Sequence, residues 1–188
     1  MTDERKKVTG HILACGTQIM WGATFVSTKV LLNYFLPAEV LFTRAVLTFL
    51  ALLVFYPHHL KLKNAKQELA FAGAGLFGIV FLIPVLIQQK ASFDLNAMQK
   101  PEVIVNFLFL GIGASATGFF LWNLATKWIG ALKTSVYIYV SPVVTVVLSV
   151  FVLHEKMTAA SVIGSLLIFA GLVISQKKSG KSSVAEAI

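Results

Sequence analysis

Arg44 is the one arginine that falls inside an apolar run of this chain, six residues in from Ala38, where that run opens. A cation at such depth in lipid is costly. Either it faces the interior of a helix bundle, where it can attract an anionic group, or its stem carries the guanidinium out to the headgroups. In the preceding run Thr17, Trp21, Thr24 and Thr28 follow one another at i, i+4, i+7 and i+11, one face of a helix, with Gln18 and Phe25 beside them. Such a polar and aromatic stripe fits a solute pathway, and it equally fits hydrogen bonding between helices. Tyr137, Ser141, Thr145 and Ser149 repeat the four-residue spacing further on, and Pro142 interrupts them. Proline withdraws its own N–H and leaves the carbonyl of Ile138 without its usual donor. That carbonyl must find another partner or line a cavity, so the bend marks a transport path or a simple structural kink. The chemistry these residues offer is non-covalent capture of a small polar solute.

Other chemistries lack their residues. Glu39, Glu68, Asp94, Glu102 and Glu155 lie in loops or at the ends of apolar runs, and so do His11, His58, His59 and His154. No carboxylate is expected at mid-membrane, which disfavours a proton-driven antiporter of cations. His58 and His59 are adjacent and diverge on a helix, so no metal site is expected. Cys15 is the single cysteine and has no thiol partner. No Ser/His/Asp set shares a depth, so the chain is not expected to be an enzyme. Gly73-Ala74-Gly75-Leu76-Phe77-Gly78 spells G-x-G-x-x-G, yet it sits within a continuous apolar run with no strand before it. Close helix packing is the better account of it, and of Gly111, Ser115 and Gly118, and of Gly164 and Gly171. No cofactor is implied. The net charge of +8 forms no basic stripe interleaved with aromatics, so nucleic acid is not an expected partner.

The elements that must position these residues are read from hydropathy. Hydrophobic residues make up 57% of the 188 and charged residues 13%, about half the ~25% of soluble domains. Six runs cover roughly His11–Leu36, Ala38–Tyr56, Leu69–Ile87, Val103–Ala125, Ser135–Leu153 and Met157–Ser175. A helix of ~20 residues spans the ~30 Å hydrocarbon core. The expected fold is therefore an all-α membrane protein, a polytopic bundle of six transmembrane helices with the lipid bilayer as its partner. The first run is too long for the apolar part of a signal peptide and is expected to be a retained span.

Lys and Arg set the orientation. One side receives Arg5, Lys6, Lys7, Lys61, Lys63, Lys66, Lys127, Lys133, Lys177, Lys178 and Lys181; the other receives Lys29, Lys90, Lys100 and Lys156. Both termini are thus expected in the cytoplasm. Residues 1–10 would be a cytoplasmic N-terminus, 88–102 the long external loop, and 176–188 a disordered cytoplasmic tail.

Trp21-Gly22-Ala23-Thr24-Phe25 resembles the W-G-x-x-F opening of EamA-type members of the drug/metabolite transporter superfamily. Pro37-Ala38-Glu39 leading to Phe42-Thr43-Arg44 resembles their second span. Tyr139-Val140-Ser141-Pro142-Val143-Val144, then Leu153-His154-Glu155-Lys156-Met157-Thr158 and Gly164, Leu167, Ile168 and Gly171, resembles the end of their second repeat. The resemblance runs over about residues 10–176 but is discontinuous. Members carry ten spans as two inverted five-helix repeats, and this chain matches the start of the first repeat and the end of the second. The junction falls near Gly78–Pro84, as an internal deletion of about four helices would produce. Residues 11–87 would then be a partial first repeat ending in a composite third helix, and 103–175 the C-terminal part of the second.

The resemblance implies a multi-pass protein of the bacterial inner membrane. It would move a small metabolite, of the amino acid or organic anion class, by alternating access. Trp21, Thr24, Phe25 and Arg44 would line the path, with Tyr137, Ser141 and Pro142 opposite. Two other outcomes are a non-transporting remnant or scaffold, and a homodimeric carrier in which two chains rebuild one pathway.

Overall fold

The computed structural model describes residues 2–55 and 65–154, together with positions 163, 164, 167, 170 and 171. The last expected span (apart from those five helical positions), the loop at 56–64 and the tail lie outside the described residues. Among those described the chain is helical, with no strand. Helix α1 is Asp3–Leu31, α2 is Pro37–Phe55, α3 is Ala65–Gln88 and α4 is the single turn Leu95–Met98. Helix α5 covers Pro101–Ile129 and α6 covers Ala131–Phe151. By length and composition α2 (Pro37–Val54), α5 and α6 can each cross a membrane.

Several expected bounds shift. Helix α1 starts at Asp3 rather than His11, so most of the polar N-terminal segment extends the first helix. Asp3 and Glu4 occupy its first turn, where negative charge suits the positive end of the helix dipole. It ends at Leu31, five residues early, and Tyr34 and Phe35 form the turn that leads into α2. Pro37 opens α2, and Glu39 reaches back to accept the Leu36 N–H at 2.8 Å, as a residue of the first helical turn does in a capping box. The loop after α3, expected to be external, contains α4, capped by Asp94, whose carboxylate accepts the N–H groups of Asn96 and Ala97. Gly130, at φ +84°, separates α5 from α6 with a backbone conformation that a side chain rarely tolerates.

Helix α5 lies between α1 and α2, which are neighbours in sequence; α3 packs on the far side of α2, and α6 on α1. The middle of α5 is not an α-helix. Phe109–Thr117 is π-helical, flanked by Pro101–Leu108 and Gly118–Ile129. In α6 the residues just before Pro142 tighten into a 3-10 turn, Val136–Tyr139. That is where the missing proline N–H would otherwise have paired with Ile138, so the local rewinding has an evident cause.

Two apolar clusters close the ends of the bundle. Leu31, Phe35, Val40, Ala97, Val103, Phe107 and Leu110 fill one end, and Ala14, Ala125 and Ile129 with Trp122, Trp128 and Tyr137 fill the other. The second end also holds the hydrogen bond between His11 Nδ1 and the Tyr137 hydroxyl, 2.9 Å. At the first end the Tyr34 hydroxyl donates to Glu102, with Lys100 Nζ 4.3 Å from the ring centroid.

The bond to Glu102 holds the Tyr34 phenol above the ordinary tyrosine range. The bonded form is the protonated one, so this contact contributes below that range and is lost as pH rises through the raised value. Ultraviolet difference titration of the chain against Tyr34→Phe should place Tyr34 above a free tyrosine, and Glu102→Gln should bring it back down.

Candidate functional site

Between the two plugs lies a polar layer built around the π segment. A π-helix pairs each N–H with the carbonyl five residues back, which leaves carbonyls poorly satisfied and is common at functional sites. Here three neighbouring side chains reach in. Trp21 Nε1 of α1 donates to the Ala114 carbonyl at 2.8 Å. The single hydroxyl proton of Thr48 on α2 is shared between Arg44 O of its own helix, 2.7 Å away, and Gly111 O, 3.1 Å away. Arg44 Nε donates to Ser115 Oγ at 2.8 Å, and that hydroxyl passes its proton to Leu110 O, also at 2.8 Å.

Arg44 therefore faces the bundle rather than the headgroups. Among the described residues the bond uses only Nε, so Ser115 orients the planar fork without engaging its two terminal nitrogens. An oriented guanidinium of this kind suits a carboxylate, which it can bind through two parallel bonds.

Glycines allow the approach. A Cβ on Gly111 would stand 2.5 Å from Leu47 Cβ, and one on Gly118 would stand 2.8 Å from Trp21 Nε1. The sequence spacing treats Gly111, Ser115 and Gly118 alike as packing positions. In the π register they divide: Gly111 and Ser115 meet α2, and Gly118 meets α1. Of the G-x-G-x-x-G glycines, among the described residues only Gly75 packs closely: a Cβ there would stand 3.1 Å from a Phe49 ring carbon, whereas one on Gly73 or Gly78 would meet nothing within 4 Å.

The expected pathway residues are brought together only in part. Trp21 stands at the centre, its ring 5.2 Å from that of Phe119 and 5.5 Å from that of Trp122. Thr24 is half-buried and donates to Trp21 O within its own helix. Phe25 points away from the layer, 42% exposed, with Lys29 Nζ 5.9 Å from its centroid. Ser141 lies on the α6 face against α1: a Cβ on Gly22 would stand 2.8 Å from Ser141 O and 2.7 Å from Val144 Cβ. Pro142 follows it in α6 but is not among the residues in these contacts. Thr145 crosses the same seam to donate to Gly22 O at 3.2 Å. Tyr137 is further along, at the His11 plug rather than in the layer.

Sequence reasoning missed Thr48 and Ser115 as site residues. Their signal was available, a hydroxyl four residues beyond Arg44 and another inside a glycine-rich span, but pairing them required the π register. Glu39 does lie at a helix end as expected, yet it is buried, 3% exposed, with Oε1 unpartnered among the described residues.

The model of the EamA-like transporter family matches residues 8–87 and again 69–176. An uncharacterized transporter of Archaeoglobus fulgidus is 27% identical over 112 residues, covering 60% of this chain and 38% of that protein. The uncharacterized inner membrane transporter YhbE of Escherichia coli K12 is 26% identical over 165 residues, covering 88% of this chain and 42% of YhbE; the Shigella flexneri protein of that name aligns equally well. The chain thus spans about two-fifths of the length of the curated relatives it matches. No solved structure matches it.

Proposed function

The chain belongs to the EamA-like transporter family, and from that premise we propose that it carries a small carboxylate-bearing solute, an amino acid or organic anion, across the bacterial inner membrane by alternating access. One observation carries the substrate class: Arg44 is held against the bundle by Ser115 through Nε, its two terminal nitrogens unengaged among the described residues. Trp21, Thr48 and the π segment form the wall behind it, and Ser141 and Thr145 flank the α1–α6 seam. The two apolar plugs are the natural gates, because a solute in the polar layer must displace a plug to leave. Lipid and a small solute are the partners of this reading.

The two family matches overlap at residues 69–87, all within α3. That overlap supports α3 as a composite helix joining the start of one repeat to the end of another. It also favours a second reading, in which two copies of the chain rebuild one pathway, since a single copy offers only a portion of each repeat as walls.

The test is uptake of labelled L-threonine and L-malate into liposomes holding the purified chain, with oligomeric state measured in the same detergent. Arg44→Ala should cut flux at least about tenfold, the scale of losing one charge-assisted bond. Unchanged flux removes Arg44 from the path. Flux from a dimer supports two copies per pathway, flux from a monomer supports one, and no flux supports a non-transporting scaffold.

A further inference from the structure

Gln18 occupies the midpoint of α1, one helical turn from Trp21 and Gly22. Trp21 leads to α5 and Gly22 to α6, so Gln18 sits where these three helices converge, between the two plugs. Its side chain is 1% exposed. Among the described residues its Nε2 has no hydrogen-bond partner. Neighbouring polar side chains of α1 are all satisfied: Thr17 donates to Leu13 O, Trp21 to Ala114 O and Thr24 to Trp21 O. A buried amide N–H that has given up water without a partner among the described residues is a cost to the fold. A side chain retained only for packing would be an apolar one of similar shape.

We propose that Gln18 is a substrate-contacting residue, occluded here, whose amide N–H takes a carbonyl or carboxylate oxygen of the solute when the bundle opens. The inference rests on the transport reading of the Arg44 site and sharpens it. A solute held by both groups carries an oxygen acceptor beyond the carboxylate that Arg44 engages, as hydroxy- and oxo-acids, dicarboxylates and amino acids with an oxygen-bearing side chain do and simple monocarboxylates with an apolar tail do not. A polar group at mid-helix is also where inverted-repeat carriers place their substrate, near the bilayer midplane.

The experiment uses the full chain and three readouts. Gln18→Met keeps the length and removes the amide; since no bond is lost, it should melt in detergent no lower than the wild type. In a Cys15→Ser background, Gln18→Cys in liposomes should react with a water-soluble methanethiosulfonate, whereas Ala51→Cys, a buried control on α2 outside both plugs, should not. Gln18→Met should lower whichever of threonine or malate flux the wild type supports by about tenfold. A lower melting point for Gln18→Met, or an unreactive thiol at position 18, marks a structural contact and overturns the proposal. If the wild type moves neither solute, the transport reading of Arg44 fails on its own; reactivity at position 18 then still decides whether Gln18 faces an aqueous path, and an inert thiol there overturns the inference as well.

Discussion

Replacing Gly22 by valine should separate α1 from α6 and leave little folded protein. The first added carbon alone would meet Val144 Cβ at 2.7 Å, Ser141 O at 2.8 Å and Val144 Cγ1 at 2.9 Å. Two of these are fixed by the backbone of α6, so rotating a side chain away does not relieve them. Overpacking in a tight interior costs about 1–3 kcal/mol and sometimes more. Three simultaneous clashes place Gly22→Val at or beyond the top of that range, and the Thr145 bond to Gly22 O would be lost with the seam. Even Gly22→Ala should lower the melting temperature measured by size-exclusion chromatography after heating. Gly16→Ala is the internal control. It lies on the same helix with nothing within 4 Å of an added Cβ, so it should gain about 0.5–1 kcal/mol from helix propensity. If both alanine variants melt alike, the α1–α6 contact is not as close as described.

Trp21→Ala is the second large effect. The indole supplies the bond to the Ala114 carbonyl, two ring contacts with α5 and the surface against which Gly118 rests. Truncating a fully buried tryptophan costs about 3–5 kcal/mol; Trp21 is half-buried and should lose part of that, while the carbonyl left without its donor adds about 1–3 kcal/mol. Trp21→Phe separates the two contributions: it keeps most of the ring area and loses only the bond, so it should fall between wild type and alanine. Flux should drop in both, because the π segment that positions Ser115 beneath Arg44 loses its support from α1. Reversible unfolding in mixed micelles, read by fluorescence of the remaining tryptophans, gives the ranking. Equal stability of Trp21→Phe and wild type would show that Ala114 finds another donor.

Much of the fold was legible in the chain because lipid imposes coarse rules. The long apolar runs are forced by the thickness of the hydrocarbon layer, and the Lys and Arg alternation agrees with the way helix ends gather. Gly10 lies against Ile129, and His11 meets Tyr137, at one end, while Leu31, Val103 and Phe107 share the other. The polar stripe on α1 was legible for the same reason: hydroxyls and amides do not face acyl chains.

What could not be read was any pairing that depends on a register other than 3.6. Ser115 and Gly118 look like one face until the π segment turns them toward different helices. Phe25 follows Thr24 directly, and its adjacency to the stripe gave no hint that its ring turns toward Lys29. The enclosure of Gln18 and Glu39 depends on how three helices meet, which no single run records.

The irregular middle of α5 has one more consequence. Wide turns can surrender a residue to the narrow turns on either side by exchanging which carbonyl each N–H chooses, without exposing an open backbone to lipid. The two halves of that rod can then swivel against each other like sections joined by a coupling. Trp21 and Thr48 hold this joint from opposite flanks, so on the proposed transport reading a solute drawn to Arg44 would pull, through Ser115, on the joint itself.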